Sequence, residues 1–271
     1  MLLIAAFDEA GSVWASPVFG RPGFISTPDA KTLSVGALPL PGDPLENALA
    51  DGRTVGVLGI ELHSRRRSRL SGRLMTTPHG FDVQVTQTLG NCPKYIHPRA
   101  FEWVGPTGSR RHPVTSLDGI AGVLVDQADT FFIATHYSGP NDQPGSAGDV
   151  SHRGGRPGFV RVKSSASLAF PDYPGNRFFN TLGNIQCDPR AGLLFPDFDR
   201  GDLLYLTGTA EIRWGEPGHR DFQSTQRYVR FSLSHGWLLR GAMPLRWSDS
   251  GAAPEQSRNA HQTGPNDHPL S

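Results

Sequence analysis

Apolar and polar residues alternate over short stretches of this chain, with β-branched and aromatic positions set between Gly, Pro and Asp punctuation, a pattern that predicts strands rather than helices. Phe159-Val160-Arg161-Val162-Lys163 and Ser167-Leu168-Ala169-Phe170 read as consecutive strands joined by a tight Ser-rich turn. Val55 to Leu62 with Arg67 to Met75, and Ala191 to Phe198 with Leu203 to Ile212, read as two further strand pairs. Helical signals are few. Ser116 can cap a helix on which Leu117, Ile120, Ala121, Leu124, Val125 and Ala128 fall at helical spacing. Asp43-Pro44-Leu45-Glu46 offers an N-cap, a proline at the first helical position and a capping-box glutamate. Its partner is Pro174 to Ile185, and a sheet that closes on itself is the economical arrangement.

The elements recur. Gly20-Arg21-Pro22-Gly23-Phe24 returns unchanged as Gly155-Arg156-Pro157-Gly158-Phe159. Val55-Gly56-Val57-Leu58 is matched by Ala191-Gly192-Leu193-Leu194, and Leu70-Ser71-Gly72 by Leu206-Thr207-Gly208, in the same order. Leu3-Ile4-Ala5-Ala6 pairs with Phe132-Ile133-Ala134-Thr135, after which the second copy carries a loop insertion in Ser138 to Gly154. The chain therefore divides into a first copy over residues 1–110, a second over 111–247, and a tail over 248–271. The first copy begins inside its first strand and lacks the helix that leads into the second. Either the true start lies upstream or the copy tolerates the loss. The tail is rich in Ser, Gly, Pro, Asn, Gln and His, cannot offset the entropy of ordering, and is expected to be disordered.

Composition narrows the function. A net charge of +1, from 26 Lys+Arg against 25 Asp+Glu, provides no field for holding nucleic acid, so any anion site must be local. Only Cys92 and Cys187 occur, without CxxC or His-rich ligand spacing, and neither a disulfide framework nor a metal site is expected. Apolar runs such as Leu2 to Phe7 are too short for a bilayer, so the expectation is a soluble, cytoplasmic protein with no membrane partner. No Ser-His-Asp or paired-carboxylate pattern stands out, which disfavours hydrolysis and leaves the catalytic residues unassigned.

Asp149-Val150-Ser151-His152-Arg153-Gly154-Gly155-Arg156-Pro157-Gly158-Phe159 resembles a motif of the flavin-nucleotide-binding relatives of pyridoxamine 5′-phosphate oxidase. Asp172 to Ile185 followed by Gly192-Leu193-Leu194-Phe195 is similar to that family's helix-then-strand block, and Gln87 to Ile96 resembles another block. The resemblance covers nearly all of residues 1 to 246. It implies a mainly β fold, a β-barrel with a few helices: a duplicated FMN-binding split barrel. Because the family's flavin lies between two subunits, the two copies are expected to form an intramolecular pseudo-dimer with one composite site. The implied function is that of an FMN-binding flavoprotein, an oxidoreductase acting on a small molecule. The alternatives are a non-catalytic flavin or heme carrier, and an electron-transfer partner of a separate reductase, since no nicotinamide-binding Gly-rich strand-turn-helix is present. The family is served by several reactions, and a homodimer of such chains is compatible with the sequence.

A flavin mononucleotide needs a site for its phosphate, a flat apolar slot for its ring, and donors near the ring heteroatoms. In the second copy Asn176 and Arg177 open the helix, where backbone donors and the dipole favour an anion. Arg161 and Lys163 share a strand face beside it, and Arg156 joins them if a bulge intervenes. The oxidase's Ser-Arg-Lys phosphate grip is matched here by Gly175-Asn176-Arg177, with one basic residue in place of two. The first copy has Ser26 and Pro28 in place of the strand charges, and Asp43 and Glu46 at its helix start. It carries instead Arg65-Arg66-Arg67-Ser68-Arg69, of which Arg67 and Arg69 share a face and can reach across to the second copy's site. His152 and Arg153, in the inserted loop, and Asn91 and Lys94, in the Gln87 to Ile96 block, are the expected substrate-side residues. Phe178, Phe179, Tyr205 and Trp214 are the aromatics available to the ring.

Overall fold

A computed structural model describes residues 1–90, 93–105, 108, 110–137, 147–175, 179–214 and 227–249. The expected mainly β architecture forms. In the first half, β1 (Leu2–Phe7), β2 (Val13–Val18), β3 (Ile25–Asp29), β4 (Thr32–Val35), β5 (Thr54–Glu61), β6 (Arg66–Thr77) and β7 (Gly80–Leu89) make one antiparallel sheet, in the order β2-β1-β5-β6-β7-β4-β3. After β8 (Arg99–Trp103), β9 (Arg111–Val114) and α1 (Ile120–Gln127) come β10 (Thr130–Tyr137), β11 (Ala147–Gly154), β12 (Arg161–Ser164) and β13 (Ser167–Pro171). Then follow α2 (Asn180–Cys187), β14 (Arg190–Asp197), β15 (Asp202–Trp214), β16 (Arg227–Leu239) and β17 (Leu245–Asp249). The second sheet runs β11-β10-β14-β15-β16-β13-β12, the same path as the first, with β9 added on β16.

The two halves agree residue by residue. Ala5 lies opposite Gly56 as Ala134 lies opposite Gly192, and a register shift interrupts the ladder at Ser71/Gly72 as it does at Thr207/Gly208. The repeated pentapeptide makes the same turn twice. Phe24 N–H donates to the Arg21 carbonyl and Phe159 N–H to that of Arg156, with Pro in the second position and Gly23 or Gly158 at positive φ in the third, the residue order of a type II turn. Each Phe ring folds over the first Gly, where a Cβ would meet it at 2.2 Å (Gly20) or 2.5 Å (Gly155).

Strands β10, β14 and β15 are buried on both faces, which is why they read as nearly unbroken apolar runs. Phe131, Ile133, Leu193, Leu204 and Leu206 face the second half's own core, while Phe132, Ala134, Leu194, Leu203 and Tyr205 join the first half's core in one cluster. The halves thus pack face to face as a pseudo-dimer, β2 on β10 and β14, and β11 on β5 and β6. Gly56 and Gly192 permit that approach. A Cβ on Gly56 would lie 2.5 Å from the Gly148 carbonyl carbon, and one on Gly192 2.5 Å from the Val13 oxygen. A short ladder of β8 with β17 also ties the end of one half to the end of the other.

Some local expectations fail. Asp43 to Ala48 forms turns, not a helix: Asp43 Oδ1 accepts the Leu45 N–H and Glu46 Oε2 the Gly42 N–H, so the capping residues serve a turn that buries Leu45 and Ala48 and then stops. Ser116 does not cap α1. Its hydroxyl bonds Asp118 one turn earlier, and Gly119, at positive φ, holds the cap position. The second-half helix begins at Asn180 rather than near Pro174, with Phe179 at its cap in the left-handed region. Strand β17 runs through Asp249, past the point where the composition turns polar, and the expected disordered tail lies otherwise outside the described residues. Among the described residues no helix is long and apolar enough to cross a membrane.

Candidate functional site

Both halves contribute to one cleft of about 660 Å³. From the first half, alternation along β6 sends Arg67 and Arg69 to one face, beside Leu58 of β5. From the second, β11 brings Ser151, His152 and Arg153, the end of β13 brings Asp172 and Tyr173, and α2 brings Phe179 to Leu182. His152 and Arg153 therefore belong to an edge strand paired with β10, not to an inserted loop.

The polar groups are interlocked across the two halves. Arg69 Nη1 donates to Ser151 Oγ and lies 3.3 Å from Asp149 Oδ1, while Thr181 Oγ1 donates to Asp149 Oδ2 at 2.7 Å. This network fixes β11, α2 and β6 to one another without a free buried carboxylate, as a low-dielectric site requires. On the other wall Asp172 accepts from two arginines, Arg153 Nη1 at 2.7 Å and Arg227 Nε at 2.7 Å. Between them lies His152, only 6% exposed. Arg67 Nη1 is 3.3 Å from its Nδ1. Burial, with the charges of Arg67 and nearby cations, holds the His152 imidazole well below the usual histidine range, so it is neutral.

Gly154 shapes the rim. A Cβ there would sit 2.0 Å from the Tyr95 carbonyl oxygen, so glycine admits the segment after β7. Tyr95, at positive φ, stacks on Tyr173 with ring centroids 5.3 Å apart, and its hydroxyl donates to the Pro174 carbonyl at 2.8 Å.

Of the residues singled out from sequence, Arg67, Arg69, His152 and Arg153 meet in this cleft. Arg156, Arg161, Lys163 and Lys94 are exposed and do not line it. The reason for the strand pair is period two: Val162 packs on the second-half core, which turns Arg161 and Lys163 outward. Asn91, Asn176, Arg177 and Phe178 lie outside the described residues. Sequence reasoning missed Asp149, Asp172, Thr181 and Arg227. The two aspartates stand in the quoted motifs, but nothing in their spacing marks them as arginine partners.

The register-equivalent place in the other orientation is closed. Trp14 stands where the second half has Asp149, Pro17 where it has His152 and Val18 where it has Arg153. Leu203 and Tyr205 replace Arg67 and Arg69. Ser16 alone is retained, opposite Ser151, and donates to the buried Asp43 at 2.8 Å. Apolar side chains thus fill one copy of the site while charged ones line the other. A shallower depression of about 300 Å³ lies beside Asp43, where Asp8, Glu9 and Glu46 stand against the cation Arg111, a balance that repels phosphate.

No protein-family model matches the sequence, and neither does any curated protein. Solved structures do. The chain is similar to HupZ of Group A Streptococcus (13% identity, 41% of this chain and 85% of that one, TM-score 0.33). It is similar to an FAD-binding protein of Mesorhizobium loti (12%, 49% and 98%, TM-score 0.35) and to General Stress Protein 26 of Bacillus anthracis (13%, 47% and 94%, TM-score 0.30). Another, from Clostridium acetobutylicum, is described as of the pyridoxinephosphate oxidase family (13%, 48% and 92%, TM-score 0.31). At TM-scores of this size the likeness carries no argument about chemistry, which rests on the cleft's own residues.

Proposed function

We propose that the composite cleft binds flavin mononucleotide and that the protein is an oxidoreductase passing hydride or electrons between that flavin and a small molecule. The observation that carries the reading is the lining of one cleft by four guanidiniums, Arg67, Arg69, Arg153 and Arg227, with Asp172 beside Arg153 and Arg227 and Asp149 behind Arg69, a cationic wall suited to a phosphate monoester. The cleft volume of about 660 Å³ falls in the usual range for cofactor pockets, and Leu58, Phe159, Tyr95 and Tyr173 supply apolar and aromatic wall for a planar ring. Bound flavin would supply the redox chemistry. The chain's residues would hold the phosphate, exclude water and present Arg67 and His152 to the ligand's acceptors.

One feature favours a carrier or electron-transfer role within the same reading. Asp149 and Asp172 are engaged by arginines and burial disfavours the protonated form of His152, which makes these three groups poor general acids or bases. Spectroscopy separates the possibilities. Protein purified without added ligand, or titrated with FMN, is expected to show bound-flavin absorbance and to prefer FMN over FAD. Bleaching by NADH or NADPH in the absence of oxygen supports an enzyme, and reduction only by an added reductase supports an electron-transfer partner. Absence of flavin binding overturns the proposal.

A further inference from the structure

Trp214 and Arg227 are the last ladder pair of the β15–β16 hairpin. Continuing the register of β6 and β7 beyond Thr77 and Gly80 places Pro78 and His79 at the equivalent positions, where the first half turns at once. In the second half residues 215–226 are added between the pair. At this place the second half carries chain that the first lacks, and Arg227, at one end of it, lines the functional cleft.

At its base, the Arg227 guanidinium lies over the Phe179 ring at 4.6 Å and over the Trp214 ring at 5.2 Å. Arg227 Nε and Nη2 both hold Asp172 Oδ2 at 2.7 Å, so the cation is fixed from below. Phe179 is fixed as well, held in left-handed backbone by the first turn of α2, whose Gly183 N–H donates to its carbonyl at 2.7 Å. Yet both rings are open to solvent, Phe179 at 47% and Trp214 at 56% exposure.

We propose that Phe179, Arg227 and Trp214 form a docking platform for a planar, negatively charged aromatic molecule, the exchangeable redox partner of the ligand in the cleft. A resident ring is enveloped on both faces, whereas half-exposed rings offer one face each and suit a molecule that arrives and leaves. The Arg227 guanidinium, set against both rings, is the cation of the platform and favours an anionic molecule there. The redox assignment rests on the flavin reading. The platform itself does not.

The test uses the full chain, with and without FMN, and calorimetric titration of 1,4-naphthoquinone-2-sulfonate, with methanesulfonate as a non-aromatic control. The parent is expected to bind the sulfonated quinone and not the control. Trp214→Ala and Phe179→Ala are each expected to weaken that binding by about tenfold, the size of one stacking or cation–π contact. Trp214→Ala is expected to leave FMN affinity unchanged, because Trp214 lies outside the cleft. No quinone binding by the parent, or equal binding by both variants, overturns the proposal. Loss of FMN binding in Trp214→Ala overturns it too, by assigning the rings to the flavin. Quinone binding by a parent that takes up no FMN leaves the platform standing and removes only the flavin reading.

Discussion

Arg67 Nη1, on a strand of the first half, lies 3.3 Å from His152 Nδ1, on a strand of the second. A guanidinium only donates, so Nδ1 is the acceptor and the imidazole proton sits on Nε2. The tautomer of a residue in one half is thereby set by the other.

The first prediction concerns pH. His152 has a folded-state pKa depressed below its unfolded value, first by burial and then by the Arg67 charge. The stability this supports is fully present above the ordinary histidine pKa of about 6.5 and is lost as pH falls below it, because the unfolded chain takes up a proton that the native site refuses. Urea unfolding of the parent should weaken between about pH 7.5 and 5.5, and His152→Gln should weaken less. Equal slopes for the two proteins would show that His152 is not held neutral.

Asp43 gives the opposite sign. Burial raises its carboxyl from the ordinary 3.8 to about 6, beside Ser16 and the Tyr205 phenol. The native state then holds a proton that the unfolded state has lost, so its contribution is present below pH 3.8 and disappears as pH rises through about 6. Asp43→Asn keeps a neutral group in place and should be more stable than the parent at neutral pH by up to about 3 kcal/mol, the equivalent of two pKa units. The difference should vanish in acid. A variant less stable than its parent at neutral pH refutes the assignment.

Ligand binding should follow the asymmetry of the two halves. Arg67→Ala and Arg153→Ala should each weaken FMN binding roughly ten- to a hundred-fold, as expected for about 1.5–3 kcal/mol from a charge-assisted hydrogen bond. Arg161→Ala and Tyr205→Phe should leave it within about twofold, since neither side chain lines the cleft. Fluorescence titration should saturate at one flavin per chain. Two equivalent sites would show that Trp14 and Tyr205 do not close the second.

The glycines at the contact between the halves make a fourth test. Gly56→Ala and Gly192→Ala each place a methyl against backbone of the opposite half, which cannot yield as a flexible side chain does. Each should cost about 1–3 kcal/mol in thermal or denaturant unfolding, typical of overpacking. Neutral substitutions at both positions would mean that the halves are not closely apposed.

The duplication was readable because the same turn and the same strand interiors need the same residues: Gly20 and Gly155 under a Phe ring, Gly56 and Gly192 against a backbone. Period two also put Arg67 and Arg69 together. The false helix at Asp43 shows the limit of local signals, since a carboxylate that accepts a nearby N–H looks alike in a cap and in a turn. Arg161 and Lys163 were misplaced because parity tells which residues share a face, not which face meets the ligand. Arg227 was out of reach of any motif, for its partner Asp172 lies 55 positions away.

Trp14 could not occur in a homodimer without consequence at both clefts, for a twofold axis repeats every substitution. In a tandem chain the two surfaces are encoded separately. One can become core while the other stays charged, and among the described residues the molecule then has a front and a back, so that whatever a ligand of the charged cleft exchanged would enter and leave on the same side.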